Sequence, residues 1–228
     1  MASEEYWNQN IREWGKFYLG ISHSGESLKG VSPFVSTYKA TIGRHEARLM
    51  KTRYEATMGF LRHSITEGCV FADLGCGTGI FTVAALRLGA NVIAVDFSET
   101  ALATTRHDVN FQIPEYKNRV TYLKLDIRSQ KVPASDVSLA VGLVPYVENI
   151  TEFFNNALAN TNSALVSWVS ETSPFNRIRR KFSFLNVRNL MFHNTKDVDE
   201  CWRDHGFSVG SRQRLGTGFI DIASRKEV

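Results

Sequence analysis

From Gly68 onward the sequence alternates short apolar, β-branched runs with polar segments of helical length, and this alternation limits the fold more than any other feature. Val70-Phe71-Ala72-Asp73-Leu74 reads as a buried strand, followed by a glycine turn and a helix from Ile80 to Leu88 closed by Gly89. Asn91–Asp96 is a second strand. Ser98 then suits the N-cap of a helix over Glu99–Val109, because its hydroxyl accepts from the free N–H groups of a first turn. Val120–Asp126 and Asp136–Leu143 read as the third and fourth strands, Thr151–Ala159 as a helix and Ala164–Val169 as the fifth strand. A helix near Asp197–His205 precedes Phe207–Arg214 and Gly218–Ala223, two strand runs with no helix between them, as in a hairpin. Parallel strands need long crossovers, so the expected fold is α/β: a mostly parallel sheet with helices on both faces.

The first seventy residues read differently. They are polar and aromatic (Tyr6, Trp7, Trp14, Phe17, Tyr18), break at Ser22–Gly30, and continue as a helical pattern from about Ser36 to His63. The expected organisation is an N-terminal helical lid over residues 1–66 and a core over 67–228. At 43% hydrophobic and 22% charged, the 228 residues are excluded from the collagen-like, coiled-coil and disordered classes. Val137–Val147, the longest nearly uncharged apolar stretch, falls well short of the ~20 residues of a bilayer span. Met1-Ala2-Ser3-Glu4-Glu5 lacks the basic start of a signal peptide. Cys69, Cys76 and Cys201 form no CxxC pair and suit a reducing compartment. These features lead us to expect a cytoplasmic protein, monomer or homodimer.

Asp73-Leu74-Gly75-Cys76-Gly77-Thr78-Gly79 lies between a strand and a helix, where open α/β sheets bind ligands. Its spacing is G-x-G-x-G, which is neither the dinucleotide G-x-G-x-x-G nor the G-K-[ST] of a triphosphate loop. Alone, such a cluster also fits a tight turn that binds nothing. Two acids at further strand ends add weight: Asp96, placed to accept from both hydroxyls of a ribose, and Asp126, placed to accept from an exocyclic amine.

From Val70 to Ala223 the sequence resembles the class I S-adenosylmethionine-dependent methyltransferases. Val70–Gly79 looks like that family's first motif, Asp96 like its ribose acid, Asp126-Ile127 like the pair flanking the adenine, and Gly142-Leu143 like the end of the fourth strand beside the sulfonium. The resemblance implies a Rossmann-like seven-stranded sheet in the order 3-2-1-4-5-7-6 with the seventh strand antiparallel. It also implies S-adenosylmethionine as cofactor, S-adenosylhomocysteine as product, and a cofactor site of Asp73, Gly75, Cys76, Gly77, Thr78, Gly79, Asp96, Phe97, Ser98, Asp126, Ile127, Gly142 and Leu143.

The acceptor is less constrained. Members of this fold that methylate base nitrogens carry [DNS]-P-P-Y after the fourth strand, whereas Leu143-Val144-Pro145-Tyr146 puts leucine where the amine needs an oxygen. This favours a small-molecule acceptor, with no DNA partner, over RNA or N-directed methylation. A cofactor-binding domain without catalysis is the further alternative. In Glu171–Thr195, where the family often builds a substrate cover, Arg177, Arg179, Arg180, Lys181 and Arg188 face only Glu171 in charge. Arg177, Arg179 and Arg180, with Tyr18 from the lid, are candidate ligands for an anionic, ring-containing acceptor. The alternative for this segment is a surface helix whose phenylalanines are core. The layout of the segment is closest to the magnesium-protoporphyrin and quinone-pathway O-methyltransferases. Tyr146, His193 and His45 are the candidate catalytic residues, His23 lies in the Ser/Gly break, and Arg44 or Arg53 would neutralise the cofactor's carboxylate. No H-x-E, H-E-x-x-H or clustered-acid pattern is present, so no catalytic metal is expected.

Overall fold

A computed structural model describes residues 33–182 and 189–226, with the side chains of the first helix described from Arg48 onward. The element order is α1 (Pro33–Ser64), β1 (Val70–Leu74), α2 (Ile80–Arg87), β2 (Asn91–Asp96), α3 (Glu99–Gln112), β3 (Val120–Lys124), β4 (Ser135–Ala140), α4 (Ile150–Phe153), β5 (Thr161–Val169), α5 (Pro174–Lys181), α6 (Thr195–Asp204), β6 (Phe207–Leu215) and β7 (Gly218–Arg225). The seven strands form one sheet in the order β3-β2-β1-β4-β5-β7-β6. β1 to β5 run parallel, and β7 lies antiparallel to both β5 and β6, which it follows as a hairpin. Order, orientation and hairpin agree with the expectation from sequence.

Side chains alternate across a strand, so one run of residues feeds two cores. Phe71, Val92, Leu139, Leu165 and Ile220 pack under α1, α2 and α3 with Leu61, Leu86 and Val109. Ala72, Val95, Ala140, Val166 and Trp168 face the other way, against Phe153, Phe154 and Leu158 around α4 and Val198 and Trp202 of α6. The second core has a polar centre. Asp221 of β7, fully buried, accepts from Trp168 Nε1 (2.9 Å), Trp202 Nε1 (3.0 Å), Arg212 Nε (2.7 Å) and Arg212 Nη2 (2.8 Å). One carboxylate thus ties β5, β6, β7 and α6 together.

Of the boundaries that depart from expectation, three bear on the site and the core beneath it. β3 stops at Lys124, whose register partner Asp96 is the last residue of β2; Leu125 N–H still donates to Asp96 O (3.0 Å), but Asp126 has no strand residue opposite it. β4 ends at Ala140, opposite Val166, and Gly142 breaks the chain direction at φ +79°. The helix expected over Thr151–Ala159 starts at Ile150 and widens into a π turn over Phe154–Leu158, where Phe154 packs edge-on against Trp202 at 4.7 Å.

Candidate active site

Above the carboxyl ends of β1, β2 and β4 lies a cleft walled by the glycine loop, the segments after β2, β3 and β4, the start of α2, and Met50 and Arg53 of α1. The glycine loop is held by its own backbone. Gly75 and Cys76 N–H both donate to the Val95 carbonyl (2.8 and 3.0 Å), Gly79 N–H donates to Cys76 O (2.8 Å), and Thr105 Oγ1 donates to Gly77 O (3.1 Å). Gly75, Gly77 and Gly79 all have positive φ. At Gly79 (φ +78°) glycine is required twice over, because a Cβ there would also sit 2.7 Å from Thr105 Cγ2. No side chain caps α2, so its first N–H groups open toward the cleft, an arrangement suited to an anion.

Asp96 is 8% exposed at the end of β2, and two backbone donors fix its carboxylate: Ser98 N–H to Oδ1 (2.9 Å) and Gly77 N–H to Oδ2 (3.2 Å). A carboxylate has about four lone-pair directions. The Asp96 carboxylate lines the cleft, where it can accept from the vicinal hydroxyls of a ribose. Ser98 caps α3 as expected, accepting from Ala101 N–H (3.1 Å), and being fully buried it supports the site from outside the cleft wall.

Gly75, Cys76, Gly77, Thr78, Asp96, Phe97, Asp126, Ile127, Gly142 and Leu143 line the cleft; Asp73, Gly79 and Ser98 do not. Asp73 lies beneath the loop, accepts from Thr82 Oγ1 (2.7 Å), and is pushed up to about 7 by burial, with Asp96 nearby adding to the effect. Its role is to anchor the start of α2 to β1 rather than to touch a ligand. The folded chain keeps this proton to about pH 7, while an unfolded aspartate loses it near 3.8. Between those values the unfolded state binds fewer protons, so this residue makes stability fall as pH rises, by a few kcal/mol across the window. Asp73→Asn is expected to remove that slope and to exceed the native chain in stability at about pH 8. Urea unfolding of both across the pH range checks this, and parallel profiles would contradict it.

Asp126 is not the bare acceptor expected. Arg128 Nε and Nη2 donate to its carboxylate at 2.6–3.0 Å, and the hydrogen bonds from Arg128 hold it below the usual carboxylate range. The same guanidinium lies 5.8 Å from the Phe97 ring centroid and lines the cleft. Sequence reading missed Arg128; its spacing of two from Asp126 in a turn was the available signal.

Of the catalytic candidates, Tyr146 lies in the cleft wall, on the short turn Val144–Tyr146 after β4. His193 does not. It is 6% exposed, its Nε2 meets the Val144 carbonyl at 3.3 Å, and burial lowers its pKa. With Met191 N–H donating to Pro145 O (2.7 Å), it clamps the turn that carries Tyr146, so it positions and does not exchange protons with a ligand in the cleft. The side chains of His45 and Tyr38 and residues Tyr18, Trp14, His23 and Arg188 lie outside the described residues, as does the side chain of Arg44.

Arg177, Arg179 and Arg180 are on α5 and none lines the cleft. The reason is the anchor of the helix: Asn176, fully buried, donates through Nδ2 to the carbonyls of Ser170 (2.8 Å) and Thr217 (3.0 Å). Beside that anchor Arg180 pairs with Glu171 (2.7 Å) and Arg179 lies over Phe175 and Phe192, so both are engaged away from the cleft. The phenylalanines of α5 are not core either, since Phe175 and Phe182 are exposed.

Comparison with known proteins agrees with this geometry. Residues 72–162 match the family model of a methyltransferase domain. Residues 72–162 thus carry a methyltransferase domain, and the glycine loop, the α2 N-terminus and Asp96 fit S-adenosylmethionine as its cofactor. Among its relatives, a ribosomal protein L11 methyltransferase of Thermotoga petrophila is 45% identical over 156 residues, 68% of this chain and 50% of the relative. The chain thus spans about half the length of the L11 methyltransferases of the two Thermotoga species that it matches. A magnesium-protoporphyrin O-methyltransferase of Rhodobacter capsulatus is 29% identical over 158 residues, 67% of this chain and 68% of the relative. The crystal structure of magnesium protoporphyrin IX methyltransferase from Synechocystis with bound SAH superposes with a TM-score of 0.69 at 16% identity, covering 98% of both chains. It shares the fold. Among the described residues, no three His, Cys, Asp or Glu are grouped to hold a metal, and no helix is long and apolar enough to cross a membrane.

Proposed function

We propose that this chain transfers the methyl group of S-adenosylmethionine to an oxygen of a small acceptor with an apolar, ring-containing body and an anionic group, an oxygen already ionised at neutral pH. The observation that carries this reading is the wall of the cleft beyond Gly142. Leu143, Pro145, Val169, Leu190 and Met50 make it apolar, and Arg53 and Tyr146 supply its polar atoms. A guanidinium in such a wall suits a carboxylate or phosphate on the acceptor, and the tyrosine ring suits its flat body. When bound, the cofactor supplies an electrophilic methyl and its own leaving group.

The described residues then have positional tasks. Asp96 and the glycine loop fix the ribose end, the His193-clamped turn sets Tyr146 against the acceptor, and Arg53 orients the anionic group. Such positioning alone supplies about 7–11 kcal/mol of barrier lowering in well-oriented reactions. No described histidine lines the cleft, which fits an acceptor that needs no proton removed. We further propose that residues 1–66 act as a lid, with α1 bringing Met50 and Arg53 over the cleft.

Methylation of a protein side chain is the second reading, favoured by the L11 methyltransferase relatives. Incubation with methyl-labelled S-adenosylmethionine and three separate acceptor pools, carboxylated ring compounds, ribosomal protein and total RNA, distinguishes them. Label is expected in the small-molecule pool, at a rate flat from about pH 6 to 9 because the acceptor is already ionised. Label confined to protein or RNA would overturn the proposal.

A further inference from the structure

The helix that disappoints as a substrate clamp has a surface that nothing in the cleft uses. Phe175, Ile178 and Phe182 recur at i, i+3 and i+7, which places them on one stripe of α5 and its C-cap, and they are 57%, 50% and 45% exposed. Apart from Phe111, they are the exposed large hydrophobic side chains among the described residues. Burial of an apolar face is the ordinary way a helix is stabilised, so an apolar stripe this exposed marks an interaction surface.

Charge chooses that partner. Pro174–Lys181 holds Arg177, Arg179, Arg180 and Lys181 and no acid. On the helical wheel Arg179 and Lys181 border the apolar stripe on its two sides, while Arg177 and Arg180 lie farther round. Both bordering cations rest against the rings they flank, Arg179 5.6 Å from the Phe175 centroid and Lys181 5.8 Å from that of Phe182. Their charged ends therefore lie beside the apolar stripe, as snorkelling cations do at an interface. Asn176 fixes the helix to the body of the protein through the Ser170 and Thr217 carbonyls, so the face is presented by a rigid base.

We propose that α5 docks this protein on an anionic phospholipid surface, with Phe175, Ile178 and Phe182 entering the headgroup–acyl boundary and Arg179 and Lys181 meeting lipid phosphates. An apolar stripe bordered by cations, with no acid on the helix, complements a negatively charged bilayer surface. The insert that carries α5 leaves the core after Val169 and returns by Leu190, and both residues wall the cleft. The inference stands on the surface of α5 and does not depend on the methyl-transfer reading.

The test is flotation of the full chain with vesicles of phosphatidylcholine alone and of phosphatidylcholine mixed with phosphatidylglycerol. The native chain is expected to float with the mixed vesicles and to stay behind with the neutral ones. Phe175→Ser/Ile178→Ser/Phe182→Ser is expected to lose at least about tenfold in partitioning. Arg179→Gln/Lys181→Gln is expected to lose about fivefold for each cation removed. None of the five side chains is buried, so the thermal midpoints should match the native one, and circular dichroism checks that both variants are folded. No flotation of the native chain, flotation of the triple variant at native level, or equal binding to neutral vesicles would overturn the proposal. So would release of the bound chain by total RNA, or a dimer in sedimentation that the triple variant loses, since each names another occupant of the face.

Discussion

Replacing Asp221 with alanine is expected to cost about 3–5 kcal/mol of folding stability. The carboxylate is fully buried and receives four hydrogen bonds from three side chains. Its removal leaves the indole N–H of Trp168 and of Trp202 without acceptors in a closed core, and each unsatisfied buried donor costs about 1–3 kcal/mol. Arg212 keeps part of its neutralisation, because Asp199 remains 2.7 Å away on the more exposed side. The expected fall in thermal midpoint is roughly 10 °C for a chain of this size, with a red shift in tryptophan emission as α6 loosens. Arg212→Met is the informative companion, since it leaves Asp221 buried with indole donors alone. A midpoint for Asp221→Ala within about 2 °C of the native value would mean that water fills the network without penalty.

The second large effect falls on the ligand. Asp96→Ala is expected to weaken S-adenosylhomocysteine binding by at least about a hundredfold. Two hydrogen bonds from ribose hydroxyls to a charged acceptor, at about 1.5–3 kcal/mol each, are lost. The Gly77 and Ser98 N–H groups lose their acceptor at the same time, so the glycine loop slackens. Asp96→Asn keeps one carbonyl oxygen and is expected to fall between the two. Calorimetric titration of the three chains checks this ordering, and an alanine variant within about twofold of native affinity would remove Asp96 from the site.

Which of these features could be read from the sequence follows from the range of the forces involved. β1, β2, the Ser98 cap and the Gly89 stop are set by neighbours within a few residues, and the chain shows them directly. The glycine loop and Asp96 belong to the same class, because a tight βα turn and a strand-end acid have local signatures. The end of β3 does not. It depends on where β2 stops, and only the register Asp96↔Lys124 reveals that Asp126 lies in a turn where Arg128 can fold back on it. His193 and the arginines of α5 depart from the sequence expectation for one reason. Charge and residue type suggested a ligand, but orientation was decided by partners far along the chain, Val144 for the histidine and Thr217 for the helix through Asn176. Asp221 drew no attention in the sequence, since a lone aspartate in a strand looks the same whether it meets water or two indoles.

The most direct test of the account is calorimetric titration of the native chain with S-adenosylhomocysteine, with NAD as the control ligand. Binding of S-adenosylhomocysteine at about micromolar affinity or better, with no heat from NAD, is the expected result. Binding of NAD instead, or of neither, would mean that the glycine loop is a structural turn and that the methyltransferase reading of the cleft is wrong.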